Sequence, residues 1–349
     1  MKQIEIAKHK IGPNLPCFII AEAGVNHNGS YDMACELIDA AEKTGVDAIK
    51  FQTFKTEKLV TIDAPKADYQ QETTGKKESQ YEMLRQLELS DKAYFDLKEY
   101  CNKNNIMFLS SPFDEQSADF LENLDVSAFK IPSGEITNLP FLSYVASKGK
   151  PMIVSTGMSN LGEVEMAVDT IEATGNKSLI LLHCVSNYPA KFADVNLRAM
   201  RNLESIFNVP VGFSDHTKGI EVAIGAVALG ACTIEKHFTL NRNLPGPDHQ
   251  ASIEPHELLA MVKSIRNLES AMGNGRKIPA VSEANVAAVA RKSLVAACDI
   301  PTGTLLTENM LTVRRPGIGF VPSMRGYLIG RKTKISIKAG TVFTWEMLA

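Results

Sequence analysis

The chain has 349 residues, of which 44% are hydrophobic and 22% charged, with a formal net charge of -3. That balance gives no electrostatic reason to expect nucleic acid or an anionic membrane as a partner, so an anionic small substrate would have to meet locally concentrated positive charge. The length accommodates one barrel of about 250 residues and a small extra domain.

Residues 1–12 alternate apolar and polar side chains (Ile4, Ile6, Ile11) and lack the apolar core of a signal peptide, which predicts a hairpin over 1–16. The most apolar helix-like segment, 220–231, carries Glu221 and is far shorter than the roughly 20 residues of a membrane span. A cytoplasmic protein is expected. Its six cysteines (Cys17, Cys35, Cys101, Cys184, Cys232, Cys298) form no Cys-x-x-Cys pair and read as small buried hydrophobes in a reducing compartment.

Eight short apolar runs follow in order, at 17–21, 48–51, 106–109, 128–131, 151–154, 179–182, 209–213 and 232–234. Stretches of helical spacing lie between them, among them 31–44, 91–104, 161–173 and 222–230. Near-continuous apolar strands alternating with helices imply a parallel sheet covered by helices, and eight such units predict a closed (β/α)8 TIM barrel. No Gly-x-Gly-x-x-Gly follows the first run, which weighs against a dinucleotide-binding sheet. Segment 254–272 is the expected last barrel helix, 273–277 a turn-rich exit and 282–290 an alanine-rich helix. From 291 the runs are short and β-like (293–297, 311–313, 334–337). The expected domains are therefore a hairpin plus barrel over 1–275, a linker over 276–290 and a small β-rich domain over 291–349. Segment 56–77 has no clear periodicity and follows the second strand, so in a barrel it is a lid or substrate loop on the catalytic face.

In such a barrel the C-terminal ends of all strands converge on one mouth, where the active site is built. Those ends carry Glu22 with Asn26-His27-Asn28-Gly29; Lys50 and Gln52; Ser110 and Ser111; Lys130, Ser133 and Glu135; Ser155 and Thr156; His183, Ser186 and Tyr188; Ser214, Asp215 and His216; and Glu235, Lys236 and His237. The seventh and eighth runs both end in histidine. Side chains two apart share a strand face, so Ser214 goes with His216 and Glu235 with His237. On parallel neighbouring strands the two imidazoles would meet and hold a divalent transition metal; the alternative is that each caps its strand against backbone. Lys50 and Lys130 sit inside apolar strands, where lysine is rarely buried unpaired. They suit an anion site in which two ammonium groups and the hydroxyls of Ser133, Ser155 and Ser214 hold a phosphate and a carboxylate. Salt bridges to Glu22 or Glu135, and a Schiff-base lysine, are the alternatives. Glu22, Glu135 and Asp248 are candidates for acid–base work and hydroxyl contacts. Asp248 lies in the turn-rich loop 244–252 after the eighth strand, at the same mouth. His9, His249 and His256 are expected to be structural.

Glu22-Ala23-Gly24-Val25-Asn26-His27-Asn28-Gly29, Lys50-Phe51-Gln52-Thr53, Lys130-Ile131-Pro132-Ser133-Gly134-Glu135, Ser155-Thr156-Gly157-Met158, Gly212-Phe213-Ser214-Asp215-His216, Glu235-Lys236-His237-Phe238-Thr239 and Gly246-Pro247-Asp248-His249 together resemble the sialic acid synthases. The resemblance covers essentially the whole chain. Its tail, with Arg314-Arg315-Pro316-Gly317, looks like the antifreeze-like (SAF) domain that ends these enzymes. The resemblance implies condensation of phosphoenolpyruvate with an open-chain N-acetylated amino sugar such as N-acetylmannosamine, giving a nine-carbon sialic acid and phosphate. It implies a divalent metal, Mn2+ or Mg2+, on His216 and His237, with imidazole ligation favouring Mn2+. It also implies phosphoenolpyruvate contacts from Lys50, Lys130, Ser133, Ser155, Ser186 and Ser214, and sugar contacts from Gln52, Tyr188 and Asp248. Some members have asparagine where this chain has Ser186. The family forms domain-swapped homodimers in which the residue matching Arg315 reaches the partner's barrel and the sugar's N-acetyl group.

On this basis the metal is expected to polarise the sugar aldehyde while phosphoenolpyruvate C3 attacks, with Glu135 stabilising positive charge at C2. Legionaminate or pseudaminate synthases share nearly all these motifs and are the nearest alternative. A Schiff-base aldolase and a non-catalytic carbohydrate-binding protein are more distant ones.

Overall fold

The computed structural model describes residues 3–75 and 77–349, so the first two residues of the expected 1–16 hairpin and Lys76 of the 56–77 segment lie outside the described residues. The chain forms two compact units, Met1–Gly273 and Asn274–Ala349. Residues 276–290, the expected linker, group with the second unit, as do Asn274 and Gly275.

In the first unit β1 (Ile4–Ile6) and β2 (His9–Ile11) form an antiparallel hairpin. Eight parallel strands follow: β3 (Phe18–Gly24), β4 (Ala48–Thr53), β5 (Met107–Pro112), β6 (Phe129–Ile131), β7 (Met152–Ser155), β8 (Leu179–Cys184), β9 (Val211–Asp215) and β10 (Thr233–His237). Their order is β5-β4-β3-β10-β9-β8-β7-β6, and β5 packs against β6, so the sheet curls into a nearly closed barrel of the TIM type. All eight predicted runs are strands, and most extend further at their C-terminal ends than apolar character alone marks. The ladder continues through polar residues such as Glu22, Gln52, Ser111, Ser214 and His237.

Helices return the chain between strands because the intervening segments carry apolar residues at helical spacing and start on good caps. Ser30 accepts from Met33 N ahead of Tyr31–Glu42, Ser90 from Ala93 N ahead of Asp91–Lys103, and Asp114 from Ser117 N ahead of Glu115–Asn123. Leu37, Ile38, Leu97 and Leu121 point from these helices into the layer that Ile19, Ala21, Ile49 and Phe108 present outward. The alternate residues face inward. Phe18, Ile20, Ala48, Leu109, Ile153, Ile180 and Leu182 fill the lower barrel together with Ile4, Ile6 and Ile11 of the hairpin, which plugs the N-terminal end.

In the second unit β11 (Ser293–Ala296) pairs antiparallel with β12 (Leu311–Arg314) over a core of Leu294, Ile300, Leu306, Leu311, Phe320, Phe343 and Leu348. The predicted run at 334–337 forms no extended strand; it contributes a single bridge, Ile300 to Ile337. Among the described residues no helix is long and apolar enough to cross a membrane.

Candidate active site

The period of two that builds the barrel core also builds the site. One inward position above the apolar layer, Ile20 is followed by Glu22, Ala48 by Lys50, Leu109 by Ser111, Ala128 by Lys130 and Ile153 by Ser155. Glycine at 212 leaves room at the barrel wall before Ser214; a Cβ there would lie 2.4 Å from the Thr233 carbonyl oxygen. The result is a cavity of about 300 Å3 lined by Glu22, Lys50, Gln52, Lys130, Ser133, Ser155, Ser186, Tyr188, Ser214, His216, Glu235, His237 and Asp248. Its size suits a small molecule.

Its floor is a buried charge cluster. Lys50 Nζ lies 2.8 Å from Glu22 Oε2 and 3.8 Å from Glu235 Oε2, and Lys130 Nζ lies 3.3 Å from Glu235 Oε1. Burial alone would raise the Glu235 pKa, but Lys130 and Lys50 outweigh it and hold the carboxyl down to about 2. Burial dominates at Glu22 and raises its pKa. At Lys50 the two glutamates more than offset burial and the pKa rises, whereas at Lys130 burial wins and the pKa falls. Lys50 also donates to Ser111 Oγ at 3.0 Å, Ser214 Oγ donates to Glu235 Oε1 at 3.0 Å, and Gln52 Nε2 donates to Glu22 Oε1 at 3.1 Å. The lysines are thus ion-paired and still line the cavity, so the pairing and anion-site readings describe one arrangement.

Beside the lysines, Ser133 Oγ accepts from Gly157 N at 3.0 Å and lies 3.1 Å from Cys184 Sγ. A Cβ on Gly157 would fall 2.2 Å from Ser186 Oγ and 2.8 Å from Ser133 Oγ, so only glycine leaves these hydroxyls free to converge. Ser155 Oγ is buried with no hydrogen-bond partner, as an oxygen waiting for a ligand would be.

β9 and β10 are parallel neighbours, with Glu235 opposite Ser214, and the rings of His216 and His237 lie 5.4 Å apart. His216 Nδ1 donates to Val185 O at 2.6 Å, which makes Nε2 the lone-pair nitrogen; it lies 3.4 Å from Ser214 Oγ, whose proton goes to Glu235. His237 Nδ1 is buried and unpartnered. Burial lowers both pKa values, His216 to about 4, so both rings are neutral near pH 7, the form that binds metal. These two imidazoles fit a divalent metal that takes its remaining ligands from substrate or water; among the described residues no cluster of three or more potential ligands forms. The Tyr188 ring stacks 4.2 Å from His216.

Other expected residues lie elsewhere. Glu135 does not line the cavity; it sits on the turn Ser133–Glu135 and its carboxylate accepts from Asn138 Nδ2 at 2.8 Å, because the chain leaves β6 before the side chain can point inward. Asp215 and Lys236, named with the mouth, face outward by strand alternation and pair with each other at 2.8 Å. Arg315 belongs to the second unit. His27 and His249 brace the loops: His27 Nδ1 accepts from Gly29 N, and His249 lies 2.7 Å from Thr239 Oγ1 and 3.2 Å from Asn28 Oδ1. His183 is tied to Val195 O at 2.7 Å.

Two contributions escaped the sequence reading. Glu235 was visible at a strand end, but nothing local marks it as the carboxylate between two lysines. Segment 56–77 contains helix Asp68–Thr74, whose Tyr69 packs 5.2 Å from Tyr188 and lines the cavity with Gln70. Buried Lys66 anchors it by donating to Thr74 Oγ1, the Gly75 carbonyl and Glu78, and Thr73 donates to Pro247 O at 3.3 Å.

Asp248 is buried at the same mouth, and burial, reinforced by Glu22, raises its pKa to about 7. Between the ordinary carboxyl range and pH 7 the folded protein therefore keeps a proton that the unfolded chain has lost, so stability falls as pH rises through this window and levels off above it. Between about pH 5 and about pH 8, wild type should lose stability in urea relative to Asp248→Asn. Parallel profiles for the two proteins would refute the assignment.

A barrel whose mouth gathers buried lysines, hydroxyls and paired imidazoles defines an enzyme of small anionic substrates. The NeuB family model matches residues 37–277 and the SAF domain model residues 291–349, and the chain belongs to the NeuB, or sialic acid synthase, family. It is 48% identical over 339 residues to the N,N'-diacetyllegionaminic acid synthase of Legionella pneumophila, covering 96% of this chain and 95% of the relative. It is 50% identical over 309 residues to the N,N'-diacetyllegionaminic acid synthase of Campylobacter jejuni, covering 88% and 92%. Among solved structures, the N-acetylneuraminic acid synthetase of Leptospira borgpetersenii superposes with a TM-score of 0.72 at 37% identity, covering 82% of this chain and 95% of that one.

Proposed function

We propose that the chain condenses phosphoenolpyruvate with an open-chain 2-acetamido sugar to give a nine-carbon nonulosonate and phosphate. The observation that carries this reading is the buried Lys50–Glu235–Lys130 cluster beside serine hydroxyls, that of Ser155 unpartnered, and two neutral imidazoles, in a chain of the NeuB family. Because two relatives at 48% and 50% identity are named N,N'-diacetyllegionaminic acid synthases, we take 2,4-diacetamido-2,4,6-trideoxymannose as the acceptor ahead of N-acetylmannosamine.

In this reading Lys50 and Lys130 neutralise the phosphate and carboxylate of phosphoenolpyruvate, and Ser133, Ser155, Ser186 and Ser214 supply its hydrogen bonds. Gln52, Tyr188 and Asp248 contact the sugar. A divalent metal on His216 and His237, Mn2+ by ligand softness, supplies Lewis acidity toward the aldehyde. The enol C3 forms a bond to sugar C1, and Asp248, protonated up to about pH 7, gives its proton to the aldehyde oxygen. Glu235, ionised between its lysines, faces the positive charge that develops at C2. Water adds there and gives up one proton, which restores Asp248; the C–O bond to phosphate then breaks, the remaining hydroxyl proton leaves with phosphate, and C2 becomes the ketone. Glu22 holds Lys50 and Gln52 in position.

We extend the proposal to a homodimer in which Arg315 of one chain serves the other's barrel, a monomer mass by light scattering being the result that removes this part. All six cysteines are free, which suits the cytoplasm.

The test is phosphate release from phosphoenolpyruvate by chelator-stripped protein with Mn2+ withheld or restored. Mn2+-dependent release with the diacetamido sugar, exceeding that with N-acetylmannosamine, is expected. Release with neither sugar would sink the reading.

A further inference from the structure

The cavity is not uniformly polar. Its lysines, serines and imidazoles are level with the strand ends, whereas the residues that follow β3, β4 and β5 are apolar: Val25, Met83, Leu84 and Phe113. Val25, Leu84 and Phe113 belong to one contiguous cluster with Phe54 and Leu87, backed by Leu59, so this is the cavity-lining side of a small core of its own. Val25 and Met83 are 3% and 4% exposed, and Met83 Sδ already accepts from Thr74 Oγ1 at 3.7 Å. The four side chains offer a ligand no free hydrogen-bonding group of ordinary strength. The same cavity is also lined by Gln52, Tyr69 and Gln70, and Gln70 Oε1 already accepts from Ala67 N and Gln80 Nε2.

We infer that this wall is the specificity determinant for the far end of the acceptor, selecting a methyl group at C6 over a hydroxymethyl. The inference rests on the function proposed above. An open-chain hexose whose aldehyde lies by His216 and His237 extends its last carbon away from the strand ends, toward the loops that carry the wall. A methyl group there gains apolar contact. A hydroxyl gives up its water and finds no partner on the wall. The expected discrimination is moderate, because an apolar pocket rejects an added hydroxyl by about a hundredfold at most.

Two acceptors that differ only in the oxygen at C6 test this: 2,4-diacetamido-2,4,6-trideoxymannose and 2,4-diacetamido-2,4-dideoxymannose. Wild type should favour the first in kcat/KM by about tenfold to a hundredfold. Leu84→Gln, which keeps a helix-favouring side chain, and Val25→Thr, which keeps the branched shape and adds a hydroxyl, should each shrink that ratio several-fold while leaving the KM for phosphoenolpyruvate unchanged. Equal use of the two sugars by wild type, or a ratio that neither variant moves, would overturn the inference and leave the condensation intact. If the variants instead alter only the choice between 4-acetamido and 4-hydroxy sugars, the wall reads C4 and the inference fails. Turnover of no sugar by wild type would overturn both this and the proposed function.

Discussion

Glu235→Gln should destabilise the protein by about 3–5 kcal/mol, measured by urea unfolding at neutral pH, although it changes one atom. The substitution leaves Lys130, which is 2% exposed, without its carboxylate and leaves Lys50 with Glu22 alone. Burial already pulls the Lys130 pKa down, and losing Glu235 pulls it further. Below that depressed pKa the folded protein must hold a desolvated ammonium; above it the folded lysine is neutral while the unfolded one still binds a proton. The stability deficit should therefore shrink as pH rises. Phosphoenolpyruvate, an anion bound at the lysines in the proposed function, should restore more thermal stability to the variant than to wild type. A variant as stable as wild type at neutral pH would show that Glu235 is not what compensates the lysines.

Lys236→Met should be nearly as damaging to stability, about 3–5 kcal/mol, without acting on the cavity. Lys236 and Asp215 are both fully buried, Lys236 Nζ donates to Asp215 Oδ2 at 2.8 Å and to Thr217 O at 2.5 Å, and neither residue lines the cavity. Removing the ammonium alone strands a carboxylate. Adding Asp215→Asn, which still accepts from Thr217, should recover part of the loss, since a neutral pair carries no uncompensated charge. The kcat of folded single variant should stay near that of wild type. If kcat collapses while stability holds, Lys236 takes part in the reaction and the outward assignment is wrong.

These two cases mark the limit of what the residues alone reveal. The barrel was legible because eight apolar runs and their helices repeat one pattern, and the polar strand ends were legible because a barrel gathers them at one mouth. Which end residues look inward depends on register, which strand-end composition does not display. Asp215 and Lys236 sit one step from Ser214 and Glu235 and face the opposite way. Glu135 follows the shortest barrel strand, and a three-residue turn carries it off the cavity. Helix Asp68–Thr74 and its Tyr69 were hidden because the helix has one buried position, Gln70, too few to give a periodic stripe.

The β1–β2 hairpin closes the far end of the barrel with Ile4, Ile6 and Ile11. A well stoppered at its base has one door. Under the function proposed above, the phosphoenolpyruvate gripped by the lysine floor has to arrive before the sugar that lies above it. That order would follow from the packed lower barrel and its plug, at the opposite end from the chemistry.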